Sequence, residues 1–77
     1  MRRAARKEHT MSIAKVTEIT STSPTSFEDA LQKGLVRASK TLRQIRSAWI
    51  KEQQVRVEAG KITEYQVNMM VTFVLDD

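Results

Sequence analysis

The 77-residue chain contains no cysteine, one proline, two glycines, one histidine and one tryptophan. Without cysteine there is no disulfide, no thiolate metal site and no thiol nucleophile. The two glycines, Gly34 and Gly60, are too few and too far apart for a GxGxxG or Walker phosphate loop. The single histidine, His9, falls in a leading segment outside the expected fold, so Ser-His-Asp chemistry has no base. A zinc site would rest on carboxylates and that one imidazole, so no metal site is expected. The chain is therefore expected not to be an enzyme. No apolar run approaches the roughly 20 residues that cross a bilayer. Nor does the basic N-terminus precede the apolar stretch of about 7–15 residues of a secretory signal, so a cytoplasmic location without membrane partners is expected.

What charge there is sits unevenly. The net charge is +4, of which Arg2, Arg3, Arg6 and Lys7 against Glu8 supply +3 within the first ten residues. That segment, MRRAARKEHT, is almost without apolar content and is followed by Met11. Residues 1–10 are expected to be a disordered basic extension, or to precede a true start at Met11, with a domain over 11–77. The rival reading is a basic arm for nucleic acid, helped by a Lys33, Arg37 and Lys40 stripe. The near-neutral body and single exposed aromatic weigh against nucleic acid as a partner. A domain this small has little core of its own, and with no disulfide or metal staple it points to oligomerisation.

The remaining chain gives an α+β pattern in the order β-α-β-β. Ile13–Ser23 is rich in Ile, Val and Thr and suits a strand, although Ile13, Val16 and Ile19 do not alternate cleanly. The cluster Ser21-Thr22-Ser23-Pro24-Thr25-Ser26 ends it. Thr25 with Glu28, or Ser26 with Asp29, has capping-box spacing for a helix. Phe27, Ala30, Leu31, Gly34, Leu35, Ala38 and Leu42 then form one helical stripe, with the helix ending near Arg43. From Tyr65 to Leu75 the period changes to two, and Ala59-Gly60 supplies a two-residue hairpin turn between Ile45–Glu58 and this last strand. A three-stranded antiparallel sheet with one helix packed on one face follows.

If that turn sets the register, partners sum to about 119, placing Trp49 opposite Met70 and Gln53 opposite Gln66. One face then carries Trp49, Lys51, Gln53, Val55, Gln66, Asn68, Met70 and Val74. The other carries Ala48, Ile50, Tyr65, Val67, Met69, Val71 and Phe73, and receives the helix stripe of Phe27, Leu31, Leu35 and Leu42. Trp49 is left on the helix-free face beside Met70, Val55 and Val74, an apolar patch with an aromatic anchor. An indole stacks on flat heteroaromatic rings, and the planar amide of Gln66 offers both donors and an acceptor. The alternative is a structural or interaction module without a small-molecule ligand.

Four stretches, KVTEITSTSPTSFEDAL, GLVRASKTLR, SAWIKEQQVRVE and ITEYQVNMMVTFVLDD, in this order and spacing make residues 11–77 resemble the dodecins. The resemblance implies a hollow homododecamer of cubic-type symmetry that binds flavin (riboflavin, FMN or FAD) in pairs between tryptophans of neighbouring subunits. Trp49 matches the stacking tryptophan and Gln66 the glutamine that hydrogen-bonds the isoalloxazine edge. Ala48 would contribute backbone near the ring. Arg56 matches a basic position that contacts ligand phosphate or a neighbouring subunit; the register above puts it on the opposite face from Trp49, so that contact would come from another subunit. Some members carry arginine in a Gly-Phe-Arg-Leu-like run where this chain has Thr72-Phe73-Val74-Leu75. Val74 cannot pair with phosphate, which weighs against coenzyme A and against a strong preference for phosphorylated flavins. The implied role is flavin storage with photoprotection.

Overall fold

A computed structural model describes residues 13–75. The expected basic extension over residues 1–10 lies outside the described residues. Strand β1 (Ala14–Ser23) leads into helix α1 (Phe27–Ala38), followed by the long strands β2 (Ile45–Glu58) and β3 (Lys61–Val74). The strands form one antiparallel sheet in the order β1-β3-β2, so the last strand is the central one.

The helix starts where the second of the two possible caps placed it. Ser26 is the N-cap, and its Oγ accepts from the Asp29 backbone N–H at 3.0 Å. The Asp29 carboxylate accepts from Ser23 Oγ at 2.6 Å and pairs with Lys33 at 3.1 Å, tying the end of β1 to the first turn of α1. The helix stops at Ala38, short of the expected Arg43. Beyond Ala38 the backbone tightens to i→i−3 bonds, Lys40 N–H on the Arg37 carbonyl at 3.1 Å and Thr41 N–H on the Ala38 carbonyl at 3.0 Å, while Ser39 Oγ takes the Val36 carbonyl that Lys40 would use in a continuing helix. Leu42 still packs on the core from the irregular turn that follows.

The core is the layer between α1 and the sheet. Ala30, Val67, Met69 and Val71 are wholly buried, and Ile19, Phe27, Leu31, Leu35, Leu42, Ile45 and Ala48 pack around them. The period-two pattern of β3 thus does what it predicts, with the odd-numbered residues from Tyr65 to Phe73 facing the helix. Phe27 meets Tyr65 edge to face, with ring centroids 5.1 Å apart and planes at 79°. Gly34 is the closest approach of helix to sheet, since a Cβ there would stand 2.7 Å from Met69 Cε and 3.0 Å from Ser21 Cβ. The irregular spacing in β1 reflects its two faces. Ile19 pairs beside Met69 in the core, whereas Val16 pairs beside Thr72 on the far face and is exposed.

The hairpin turn is at Ala59-Gly60 as expected, with both residues at positive φ, 52° and 76°, the geometry of a two-residue type I′ turn. The register is not the uniform one. Glu58↔Lys61 and Trp49↔Met70 keep the sum of 119, but between them Gln54, not Gln53, faces Gln66, and Gln53 faces Val67. The register shifts between Arg56 and Val57 and back between Ile50 and Glu52, where Thr63 and Lys51 stand as unmatched residues. These two bulges, on opposite strands, cancel each other, and a third shift between Ile45 and Ser47 leaves Arg46 unmatched. Thr63 Oγ1 donates to the Arg56 carbonyl at 3.3 Å across the first of them.

Candidate functional site

The face of the sheet turned away from α1 is built from rows of side chains that cross all three strands. Glu18, Met70 and Trp49 form one row, Thr20, Asn68 and Glu52 the next, and Thr22, Gln66 and Gln54 the one after. Arg56 and Glu64 pair beyond them. Partners opposite one another on antiparallel strands project to the same face. The bulges therefore revise the face assignments made from a uniform register. Gln53 and Val55, opposite Val67 and Tyr65, belong to the helix side, and Arg56 belongs to the Trp49 side. Facing no longer separates Arg56 from Trp49, but the strand does, by roughly 20 Å, so an Arg56 contact to a group stacked on Trp49 still falls more readily to a neighbouring subunit.

Trp49 is 52% exposed, a large indole held in solvent on a rigid strand. Its neighbour across the strand, Met70, is half-buried and offers a polarizable thioether beneath any flat group placed there. Gln66 is half-buried on the same face, four residues along β3 from Met70, a span of roughly 13 Å at strand rise. Ala48 lies on the other side, opposite Val71 and packed against the core, so only its backbone is available near the indole. Val74 pairs with Ala14 at the far end of the Trp49 face.

A polar network runs beside these groups. Lys51, released from the regular ladder by its bulge, reaches Glu18 Oε1 with Nζ at 3.3 Å. Asn68 Nδ2 donates to Thr20 Oγ1 at 3.1 Å and to Glu18 Oε2 at 3.5 Å. Gln66 Nε2 donates to Asn68 Oδ1 at 3.3 Å. Arg56 Nε and Glu64 Oε1 form a separate ion pair at 3.3 Å. Sequence reasoning placed Lys51 and Asn68 on this face but found no role for Glu18. The missing signal is the pairing of β1 with β3, which joins residues some fifty positions apart in sequence and leaves no trace in local periodicity.

Elsewhere the chemistry is structural. A groove of about 340 Å³ lies between α1 and β1, floored by Ile19, Gly34 and Ala38 with Lys33 and Arg37 at its rim, on the side of the sheet away from Trp49. The Asp29 carboxyl is held below its ordinary value of 3.8, first by the Ser23 hydroxyl and then by Lys33, and both contacts serve the helix start. Among the described residues, no group of three or more His, Cys, Asp or Glu side chains gathers into a cation site, and no helix is long and apolar enough to cross a membrane.

The comparisons with known proteins agree on one family. The family model described as Dodecin matches residues 13–76. Calcium dodecin of Mycobacterium tuberculosis is 44% identical over 64 residues, covering 82% of this chain and 89% of that protein. Among solved structures, the dodecin from Streptomyces davaonensis superposes with a TM-score of 0.83 at 34% identity, covering 87% of this chain and 98% of that one. The crystal structure of the Mycobacterium tuberculosis calcium dodecin, described with a novel calcium-binding site, superposes at 0.74 with 38% identity, covering 84% and 93%. Sequence, topology and the open tryptophan face converge, and the chain belongs to the dodecin family.

Proposed function

We propose that this protein is a flavin-binding sequestration and photoprotection protein, with the isoalloxazine stacked on Trp49 at subunit interfaces of a hollow homododecamer. Dodecins are small oligomeric binding proteins. The observation that carries the flavin reading is the half-exposed indole of Trp49 on the same sheet face as the Gln66 amide and the Arg56 guanidinium. The indole supplies a flat π surface. The amide supplies a donor and an acceptor in one plane for the pyrimidine edge of the flavin. Arg56, on the same side and most readily from a neighbouring subunit, supplies a cation for a ribityl phosphate, with Glu64 as its resting partner. Ala48 contributes backbone only. Val74, at the arginine position of some dodecins, offers no such cation, so coenzyme A is not part of the reading.

Stacking on Trp49 places an electron-rich indole against the photoexcited flavin. The excitation decays by transfer of one electron from indole to flavin and its return, which leaves both molecules unchanged. Enclosure lowers free flavin and limits its side reactions. Calcium is named for the mycobacterial relative and is a property of that protein.

The test is a titration of riboflavin, then FMN, into ligand-free protein, followed by flavin fluorescence with particle mass measured in parallel. Saturable quenching on a particle of about twelve subunits is the expected result. A large particle without quenching would make the protein a structural module and Trp49 an interface residue.

A further inference from the structure

We propose that Glu18, Asn68 and Gln66 form a polarity relay that fixes which end of the Gln66 amide faces the ligand, so that Glu18 and Asn68 are positioning residues for selectivity. The proposal rests on the flavin reading of the Trp49 face.

An amide side chain is nearly symmetric in shape and opposite in polarity at its two ends. Its orientation is set by its partners alone. The chain of partners here has a direction. Lys51 pairs with Glu18, whose carboxylate accepts hydrogen bonds and donates none. Asn68 turns its NH₂ towards β1, donating to Thr20 Oγ1 at 3.1 Å and, over a longer 3.5 Å, to Glu18 Oε2, the one neighbour that can only accept. Its Oδ1 then points along β3 at Gln66 and accepts from Gln66 Nε2 at 3.3 Å. One Nε2 hydrogen of Gln66 is committed to this contact, which leaves its Oε1 and one N–H for a ligand. A carboxylate on β1 thus dictates the amide two rows away on β3. The site offers an acceptor beside a donor in a fixed order, suited to the ring N3–H and adjoining carbonyl of a flavin and ill suited to a ring whose N3 carries no hydrogen.

The experiment compares riboflavin with 3-methylriboflavin, which keeps the stacking surface and lacks the N3–H. Both are titrated into wild type, Glu18→Gln, Asn68→Val, Gln66→Leu and the Glu18→Gln/Gln66→Leu double variant. Wild type is expected to prefer riboflavin by about tenfold, the scale of one hydrogen bond left unmade. Glu18→Gln introduces an amide that can donate as well as accept, so Asn68 and Gln66 are free to turn, and the preference should fall to about threefold or less. Asn68→Val should do the same. In the Gln66→Leu background, Glu18→Gln should have no further effect on the ratio. A purely structural role for Glu18 would weaken both ligands together and leave the ratio intact. A wild-type ratio in Glu18→Gln, with the ratio abolished in Gln66→Leu, would overturn the relay and leave the flavin site standing. Failure of wild type to bind either ligand would overturn the flavin site and the relay with it.

Discussion

Arg56 and Trp49 stand on the same face of the sheet although an odd number of positions separates them along β2. In an unbroken strand that separation would put them on opposite faces. The bulge at Lys51 absorbs one residue and restores them to one side. Its counterpart at Thr63 in β3 lets the regular pairing at the turn and the regular pairing at Trp49 coexist.

Arg56 and Glu64 should set the preference between FMN and riboflavin. Their ion pair is exposed and weak by itself. Arg56→Ala is expected to lower FMN affinity about three- to tenfold relative to riboflavin. Glu64→Gln, which frees the guanidinium, should shift the ratio the other way. Parallel fluorescence titrations measure both, and an unchanged ratio in each variant would remove Arg56 from the site.

Trp49→Ala should abolish most of the quenching of bound flavin and weaken binding about tenfold or more, as a large stacking surface is lost. Trp49→Phe keeps part of the surface and a poorer electron donor, so affinity should recover further than quenching. Time-resolved fluorescence separates the two effects. Native affinity together with native quenching in Trp49→Ala would end the stacking model.

Ala59 sits at φ 52°, where an L-residue with a Cβ is strained. Asn tolerates this region and is favoured in such turns. Ala59→Asn should stabilise the fold by about 0.5–1 kcal/mol, read as a raised urea midpoint at constant slope.

Gly34→Ala should destabilise by about 1–3 kcal/mol despite the better helix propensity of alanine, because the new methyl meets Met69 Cε at 2.7 Å and Ser21 Cβ at 3.0 Å. Met69 is fully buried and has little room to retreat. Thermal melting of the single variant, and partial rescue by Met69→Val, would test the contact.

The lowered Asp29 value gives a pH signature. A carboxyl held below 3.8 in the folded chain contributes stability at neutral pH and down to its unfolded value. That contribution is lost as pH falls from there through the folded value. Asp29→Asn should therefore be less stable at neutral pH and show a flatter decline in acid. Urea midpoints across the acid range should converge with those of wild type at the lowest pH.

Much of this was legible in the sequence, and the illegible part has a physical reason. The elements, the Ala59-Gly60 turn, the inward stripe of α1 and the alternation of β3 all come from short-range periodicity. The pairing of Trp49 with Met70 follows from the turn and holds because the bulges at Thr63 and Lys51 cancel. The helix ends before its apolar spacing does, because Ser39 Oγ takes the Val36 carbonyl and the backbone tightens to i→i−3 bonds from Lys40 onward. The side of Arg56 was misjudged because a bulge changes parity without changing composition. Thr63 and Lys51 look like ordinary strand residues, and only their pairing shows otherwise. Glu18 was invisible for a third reason, since its neighbours on the site face belong to a strand at the other end of the chain.

That last fact governs how the molecule is made. The first strand finds its hydrogen-bonding partner only in residues 61–74, and the helix that follows it packs on both of them. During synthesis, β1 and α1 emerge with no sheet to join, and β2 emerges before its own partner. The central strand of the sheet is thus made after both strands it joins. A chain that stops short of β3 loses Val67, Met69 and Val71 from the core and the strand that joins Glu18 to Trp49.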